Sequence, residues 1–322
     1  MFMRTSGVLL VTMCAALYAL TTAMSKLFFS VYEFSILTYS FIAAAPGVTI
    51  LPFKVADGSI KRIKPFIKWA LAPAFLFGSA RILFYYAVNY GSPSLPAVVN
   101  SFSPIMVAVL SFFVFAERLN RHQIAGMVVA ILGMLIFHAS NFQTNTGNLL
   151  AEAAAVLSML GFSVNNVATK KALENVDEAT LTTLIFTISS AVLAPVAISE
   201  LAAKISFPFM GRAPLTPIIL AGIFLFAFLT VILPTYLLID GLNYVSPTTA
   251  GLLLLSQPIF TMIFASALRV EYVAPLQVIG AIITILGIAI FRIKAPEKEE
   301  PSLKELRKEK EKPSPKNSSK QQ

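Results

Sequence analysis

Charged side chains are scarce inside the apolar stretches of this sequence, and Arg81 is the clearest of them. It falls about eight residues, or about 12 Å of helix, from the nearer end of a stretch over 66–88. A guanidinium at that depth snorkels poorly and costs several kcal/mol unless a partner or water satisfies it. It has two uses: contact with a solute or a gate, where it favours a carboxylate or another anion, or a structural ion pair with Glu152 or Glu33. Tyr85 follows at i+4 on the same helix face.

The other polar groups form a thin second set. Glu152, Met159, Ser163 and Asn166 share one face of a helix by spacings of seven, four and three, and such a stripe faces protein or water. Glu152 is also close enough to its helix end to be an interfacial carboxylate. Asn166, with Asn165 beside it, binds a polar solute or joins helices by hydrogen bonds. Asn100 and Ser103 share a face of the stretch over 95–115, while Gln257 stands next to Pro258. Lys26 ends the first stretch and can snorkel; with Glu152 and Glu33 it completes the groups available for an ion pair or proton coupling. Tyr18 and Tyr86 line a cavity or pack, Asp240 is a gate partner or a solvated helix end, and His138 ends a peripheral stretch.

No enzyme motif accompanies these residues: H-E-x-x-H, G-x-S-x-G, Walker A and cysteine–histidine metal spacings are all missing. Neither a metal nor an organic cofactor is expected. The single cysteine, Cys14, lies in an apolar run and gives no disulfide framework. The charge of +9 splits into +4 on residues 292–322 and +5 on the rest, with no basic, aromatic-interleaved stripe that would fit nucleic acid.

The elements that must hold these residues are membrane helices. Hydrophobic residues make up 57% of the 322 and charged residues 13%, against about 45–50% and about 25% in soluble domains. A spanning helix needs about 20 apolar residues. Ten segments qualify, near 6–26, 34–53, 66–88, 95–115, 122–139, 148–168, 179–200, 215–239, 248–267 and 275–293. The first resembles a signal peptide in charge and length, but the repeat described next requires it as a helix. With the amino terminus inside, the inner loops before the tail hold ten Lys/Arg and the outer ones three, so both termini are expected in the cytoplasm of a multi-pass cell-membrane protein.

A shift of 154 residues superposes 89–137 on 243–291 without a gap, with 14 of 49 positions identical. Pro104 matches Pro258, Glu117 matches Glu271, and Ser103 falls on Gln257. Each copy holds five helices, an odd number, so the copies are inverted across the membrane. Inverted repeats belong to secondary transporters that bind solute near the midplane. The expected fold is therefore an all-α integral membrane protein, with ten transmembrane helices as two inverted five-helix repeats over 1–140 and 141–293. A charged cytoplasmic tail, expected to be disordered, follows over 294–322. The two prolines kink their helices or merely pack. The recurrent Glu117 and Glu271, each between two helices, are expected to cap the helix that follows.

Ser92-Pro93, Pro104, the turn Phe115-Ala116-Glu117-Arg118-Leu119, then Gln123, Gly126 and Gly133 resemble an EamA-type domain of the drug/metabolite transporter superfamily. Pro258, Glu271, Gln277, Gly280 and Gly287 resemble a second one, although its turn lacks the basic residue after the acid. The resemblance implies ten helices around a central cavity, with the fifth and tenth at its periphery. The expected function is alternating-access transport of a small metabolite, an amino acid or related organic solute, in a lipid bilayer. The alternative is a membrane receptor or scaffold working through the charged tail. Gly126, Ala130 and Gly133, with Gly280, Thr284 and Gly287, permit close helix contact within the chain or in a homodimer.

Overall fold

The computed structural model describes residues 6–20, 67–90, 94–139, 148–206, 228–268 and 273–293, with a few isolated positions between them. Among the described residues every regular element is helical, and six helices are long and apolar enough to cross a membrane, two of them, Pro96–Phe115 and Pro247–Ala267, taken across a short turn. In chain order the helices are α1 (Ser6–Leu20), α2 (Ile67–Tyr90), α3 (Ser94–Asn100), α4 (Ser103–Phe115), α5 (Arg121–Ala139), α6 (Leu149–Ala172), α7 (Glu178–Ser206), α8 (Leu233–Gly241), α9 (Pro247–Leu254), α10 (Gln257–Ala267) and α11 (Pro275–Ile293). A π-helical turn, Phe228–Ile232, leads into α8. The expected stretch over 34–53 lies almost wholly outside the described residues, as do Lys26, Glu33, Glu271 and the tail beyond 293.

The two stretches expected to kink are interrupted. α3 and α4 are separated by Ser101-Phe102, and α9 and α10 by Leu255-Ser256, the same two positions under the 154-residue shift. Proline has no N–H, so Pro104 and Pro258 each remove one i to i−4 bond. The chain tightens just before them: Ser101 and Phe102 donate to the carbonyls of Val98 and Val99 at 3.1 Å each. Leu255 and Ser256 donate likewise to Leu252 and Leu253, at 3.1 and 3.0 Å. Broken helices of this kind leave backbone polar groups that a membrane tolerates only inside protein or beside water.

The glycine helices α5 and α11 run antiparallel and in close contact. A Cβ on Gly126 would stand 2.3 Å from the Phe291 nitrogen, and one on Gly280 would stand 2.4 Å from the Phe137 nitrogen. These contacts are reciprocal, since Gly126 corresponds to Gly280 and Phe137 to Phe291. Gly133 against Thr284 and Gly287 against Ala130 repeat the relation. Thr284 also donates from Oγ1 to the Ala130 carbonyl at 3.3 Å. The small-residue faces are thus used within the chain. Their outer sides, including Ile124, Val128, Ile282 and Ile285, are exposed apolar surface suited to lipid.

The helix-capping role expected of Glu117 is filled by other residues. Asn120 Oδ1 accepts from the Gln123 N–H at 2.8 Å and Gln123 Oε1 accepts from the Asn120 N–H at 2.9 Å, a reciprocal capping box at the start of α5. At the start of α11 Gln277 Oε1 accepts from Ala274 N–H in the same way, at 2.9 Å. The Glu117 carboxylate is one turn too early to reach those donors and points elsewhere.

Candidate functional site

Arg81 is half-buried near the middle of α2, with its guanidinium 4.7 Å from the centre of the Phe77 ring one turn earlier. That cation–π contact offsets part of the burial cost and leaves the planar edge of the fork unoccupied by the ring. Among the described residues no carboxylate pairs with it. Glu152, one of the two expected partners, is half-buried in the first turn of α6, where its charge meets the positive end of the helix dipole. Tyr85 is helical in its backbone, and its side chain lies outside the described set.

Tyr18, expected to line a cavity or pack, and Thr235, from outside the expected set, complete the surroundings of Arg81. The Tyr18 hydroxyl of α1 hydrogen-bonds Thr235 Oγ1 in the first turn of α8, and Arg81 lies within electrostatic reach of that hydroxyl. Thr235 also donates to the Val231 carbonyl at 2.7 Å, inside the π-helical turn. Such turns widen the helix locally and expose backbone groups. Carried eight residues past its gapless range, the 154-residue shift sets Thr235 opposite Arg81, a hydroxyl against a cation.

The polar stripe of α6 meets the broken helix. Ser103 Oγ and Ser163 Oγ are 3.0 Å apart, and Ser163 also donates to the Met159 carbonyl at 2.8 Å. Asn100 closes α3 and Gln257 opens α10, both half-buried beside the two breaks. Asn166 is half-buried, whereas its neighbour Asn165 is 7% exposed and its Oδ1 has no hydrogen-bond partner. The deeper amide is thus Asn165. Its burial could not be told from that of Asn166 without knowing which face of α6 the other helices cover.

One end of the molecule carries a separate polar group. Lys170 Nζ, at the end of α6, donates to the carbonyls of Leu242 and Val245 beyond α8. Lys171 pairs with Glu174 at 2.7 Å and lies 5.9 Å from the Phe115 ring. Asn243 Nδ2 donates to Glu178 Oε1 at 2.7 Å and to the Asp240 carbonyl at 3.1 Å, so Asp240 belongs to a bonded helix end. Thr248 Oγ1 donates to Glu117 Oε2 at 2.9 Å, joining the two repeats.

A family model described as the EamA-like transporter family matches residues 5–138 and again 149–293. The chain belongs to the EamA-like transporter family. An "Uncharacterized inner membrane transporter YhbE" of Escherichia coli (strain K12) is 30% identical over 142 residues, 41% of this chain and 42% of that protein. An "Uncharacterized transporter YetK" of Bacillus subtilis (strain 168) is 21% identical over 225 residues, 68% of this chain and 65% of the relative. A "Probable amino-acid metabolite efflux pump" of Salmonella typhimurium matches over 104 residues at 31% identity, 31% of this chain and 33% of the pump. The chain thus spans less than half the length of the first of these relatives. A solved crystal structure shares the fold at a TM-score of 0.68 and 18% identity, covering 91% of this EamA chain and 99% of its own. The protein is a multi-pass membrane protein of a transporter family.

Proposed function

We propose that this EamA-family protein carries a small carboxylate-bearing metabolite, an amino acid or a related organic acid, across a cell membrane by alternating access. The observation that carries the reading is Arg81. It is a cation near the middle of α2, within the apolar stretch Leu71–Phe84, braced on Phe77 and without a carboxylate partner among the described residues. A solute carboxylate would satisfy its fork with two parallel charge-assisted bonds. The relative named as an amino-acid metabolite efflux pump supports the same substrate class. Tyr18, Thr235, Ser103, Ser163, Asn100 and Gln257 supply neutral donors and acceptors for the remainder of such a solute.

Ten helices in two inverted repeats suit this role. The antiparallel, reciprocal pairing of α5 and α11 supports an axis in the membrane plane, because equivalent helices related by such an axis must run in opposite directions. The excess of Lys/Arg in alternate loops supports cytoplasmic termini. The end carrying Glu117 then faces the cytoplasm.

The test is a thermal-shift series on purified protein with amino acids, organic acids and the matching amides. A solute at 100 times its dissociation constant stabilises by about 2.7 kcal/mol. Carboxylates should shift the melting temperature and their amides should not. Arg81→Gln should weaken the bound carboxylate roughly 10- to 100-fold, as expected for a lost hydrogen bond to a charged group worth roughly 1.5–3 kcal/mol. Equal affinity of Arg81→Gln and the parent for the same solute would remove Arg81 from the site.

A further inference from the structure

We propose that the hydrogen bond between Glu117 and Thr248 is a latch that holds one end of the two broken helices shut. The proposal rests on the transporter reading, and concerns the closed end rather than the solute site. The seam it closes runs between α4 and α9. At its middle Gly251 faces Pro104 and Val107, where an added Cβ would lie 3.7 Å from Val107 Cγ2 and 3.8 Å from the Pro104 Cα. At its end Thr248, which has no exposed surface, donates to the Glu117 carboxylate at 2.9 Å. Thr248 stands in the first turn of α9, so the carboxylate also meets the positive end of that helix. A bond between a hydroxyl and a charged oxygen is among the stronger ones available at such a seam.

The opposite end of the same pair is built from equivalent parts, and among the described residues it lacks the matching contact. Under the 154-residue shift α3 corresponds to α9 and α10 corresponds to α4. α4 and α9 lie together along their length, whereas α3 and α10 make no comparable contact. The chemistry of the latch recurs in sequence, with Glu271 at the place of Glu117 and Ser94 at the place of Thr248. Among the described residues the contact between the two broken helices is thus made at one end and not matched at the other, the asymmetry that an alternating carrier requires.

Ser111 marks what the latch excludes. It follows Val107 by one turn on the buried face of α4, is 0% exposed, and its hydroxyl has no hydrogen-bond partner. A buried hydroxyl left unpaired opposes the closed arrangement, and water reaching it would favour the open one. The latch therefore works against an element that rewards opening, which is how two arrangements are kept close in free energy.

The test uses Ser111→Cys as a reporter in a Cys14→Ser background, since Cys14 is the chain's single cysteine. Its rate of reaction with a small, charged methanethiosulfonate is read on full-length protein in nanodiscs without solute. Thr248→Val keeps the shape of the buried side chain and removes the donor. It should raise the rate at least 10-fold. Glu117→Gln keeps an acceptor for the Thr248 hydroxyl and should raise it less. Ser158→Cys, at a position fully buried in α6, reports general loosening and should not change. An unchanged rate at Ser111→Cys, or an equal rise at Ser158→Cys, overturns the latch. Neither result depends on solute, so the latch can fail while binding at Arg81 stands.

Discussion

Helices α5 and α11 meet from Gly126 to Phe137 and from Gly280 to Phe291, whereas the broken pair, α3–α4 with α9–α10, makes its contact between α4 and α9 without a matching one between α3 and α10 among the described residues. Both pairs are related by the same repeat, so symmetry does not explain the difference. Sequence does. In α5 and α11 the backbones approach so closely that only glycine fits at the crossings, and packing of that kind has one register. In the broken pair Gly251 has ordinary van der Waals clearance, and prolines have already removed part of the backbone ladder. The first pair has the properties of a fixed frame and the second those of a moving part.

The largest effect expected from this contrast is on stability. Gly126→Leu or Gly280→Leu puts a branched side chain where even a Cβ would stand 2.3 or 2.4 Å from a backbone nitrogen, so the helices must separate. A loss of roughly 3 kcal/mol or more is expected. It would appear as a lower melting temperature and loss of the monodisperse peak in size-exclusion chromatography. Gly251→Ala, with its nearest neighbour at 3.7 Å, should stay within about 1 kcal/mol of the parent. Equal damage at the three positions would abolish the distinction between frame and moving part.

A smaller effect is expected on flux rather than folding. Ser103 and Gln257 are equivalent positions beside the two breaks, and both are half-buried. If they line one aqueous cavity, Ser103→Trp and Gln257→Trp should reduce transport at least 10-fold while expression and melting temperature hold, because a wet cavity accepts volume that a packed core rejects. Uptake into proteoliposomes, with the solute found by thermal shift, checks this. Melting temperatures that fall as far as those of the glycine variants would place these positions in packed protein.

Much of this contrast was legible in the sequence, for a physical reason. The 154-residue shift aligns glycines with glycines and prolines with prolines, and both act locally: glycine by what fits against it, proline by the bond it cannot make. Thr235 was reachable as well, since the same shift carries Arg81 onto it, but its bond to Tyr18 depends on how α1 docks on α8. The capping box is readable as Asn120 and Gln123 three residues apart, whereas the recurrent Glu117 precedes the helix start by too much to cap it. The Glu117–Thr248 bond joins residues in different repeats. No local spacing signals it. Asn165 rather than Asn166 is the deeper amide because neighbouring helices cover one side of α6, a choice made by tertiary packing.

The smallest effect concerns the joint between the two regions. Ala116 lies in the turn from α4, on the moving side, to α5, in the frame, and its φ of 53° and ψ of 29° are left-handed. It is the one non-glycine residue with positive φ among those described. The left-handed turn lets the chain end α4 on the Ser111 carbonyl, which receives the Ala116 N–H and, at 3.3 Å, the Glu117 N–H. That geometry also aims Glu117 toward Thr248. Alanine holds the conformation against a steric cost of roughly 1 kcal/mol that glycine would not bear. Glycine gives back part of this gain through its more disordered unfolded chain. Ala116→Gly should therefore stabilise the protein by at most about 0.5–1 kcal/mol, with the α5/α11 contact untouched. Ala116→Val, β-branched and poorly suited to left-handed backbone, should destabilise by roughly 1–2 kcal/mol. The same substitutions should order the reactivity of Ser111→Cys, with glycine slowest and valine fastest, because a strained joint favours release of the latch. Melting temperatures that follow this order while Ser111→Cys reacts at one rate throughout would show that the turn stabilises α4 without setting the position of Glu117.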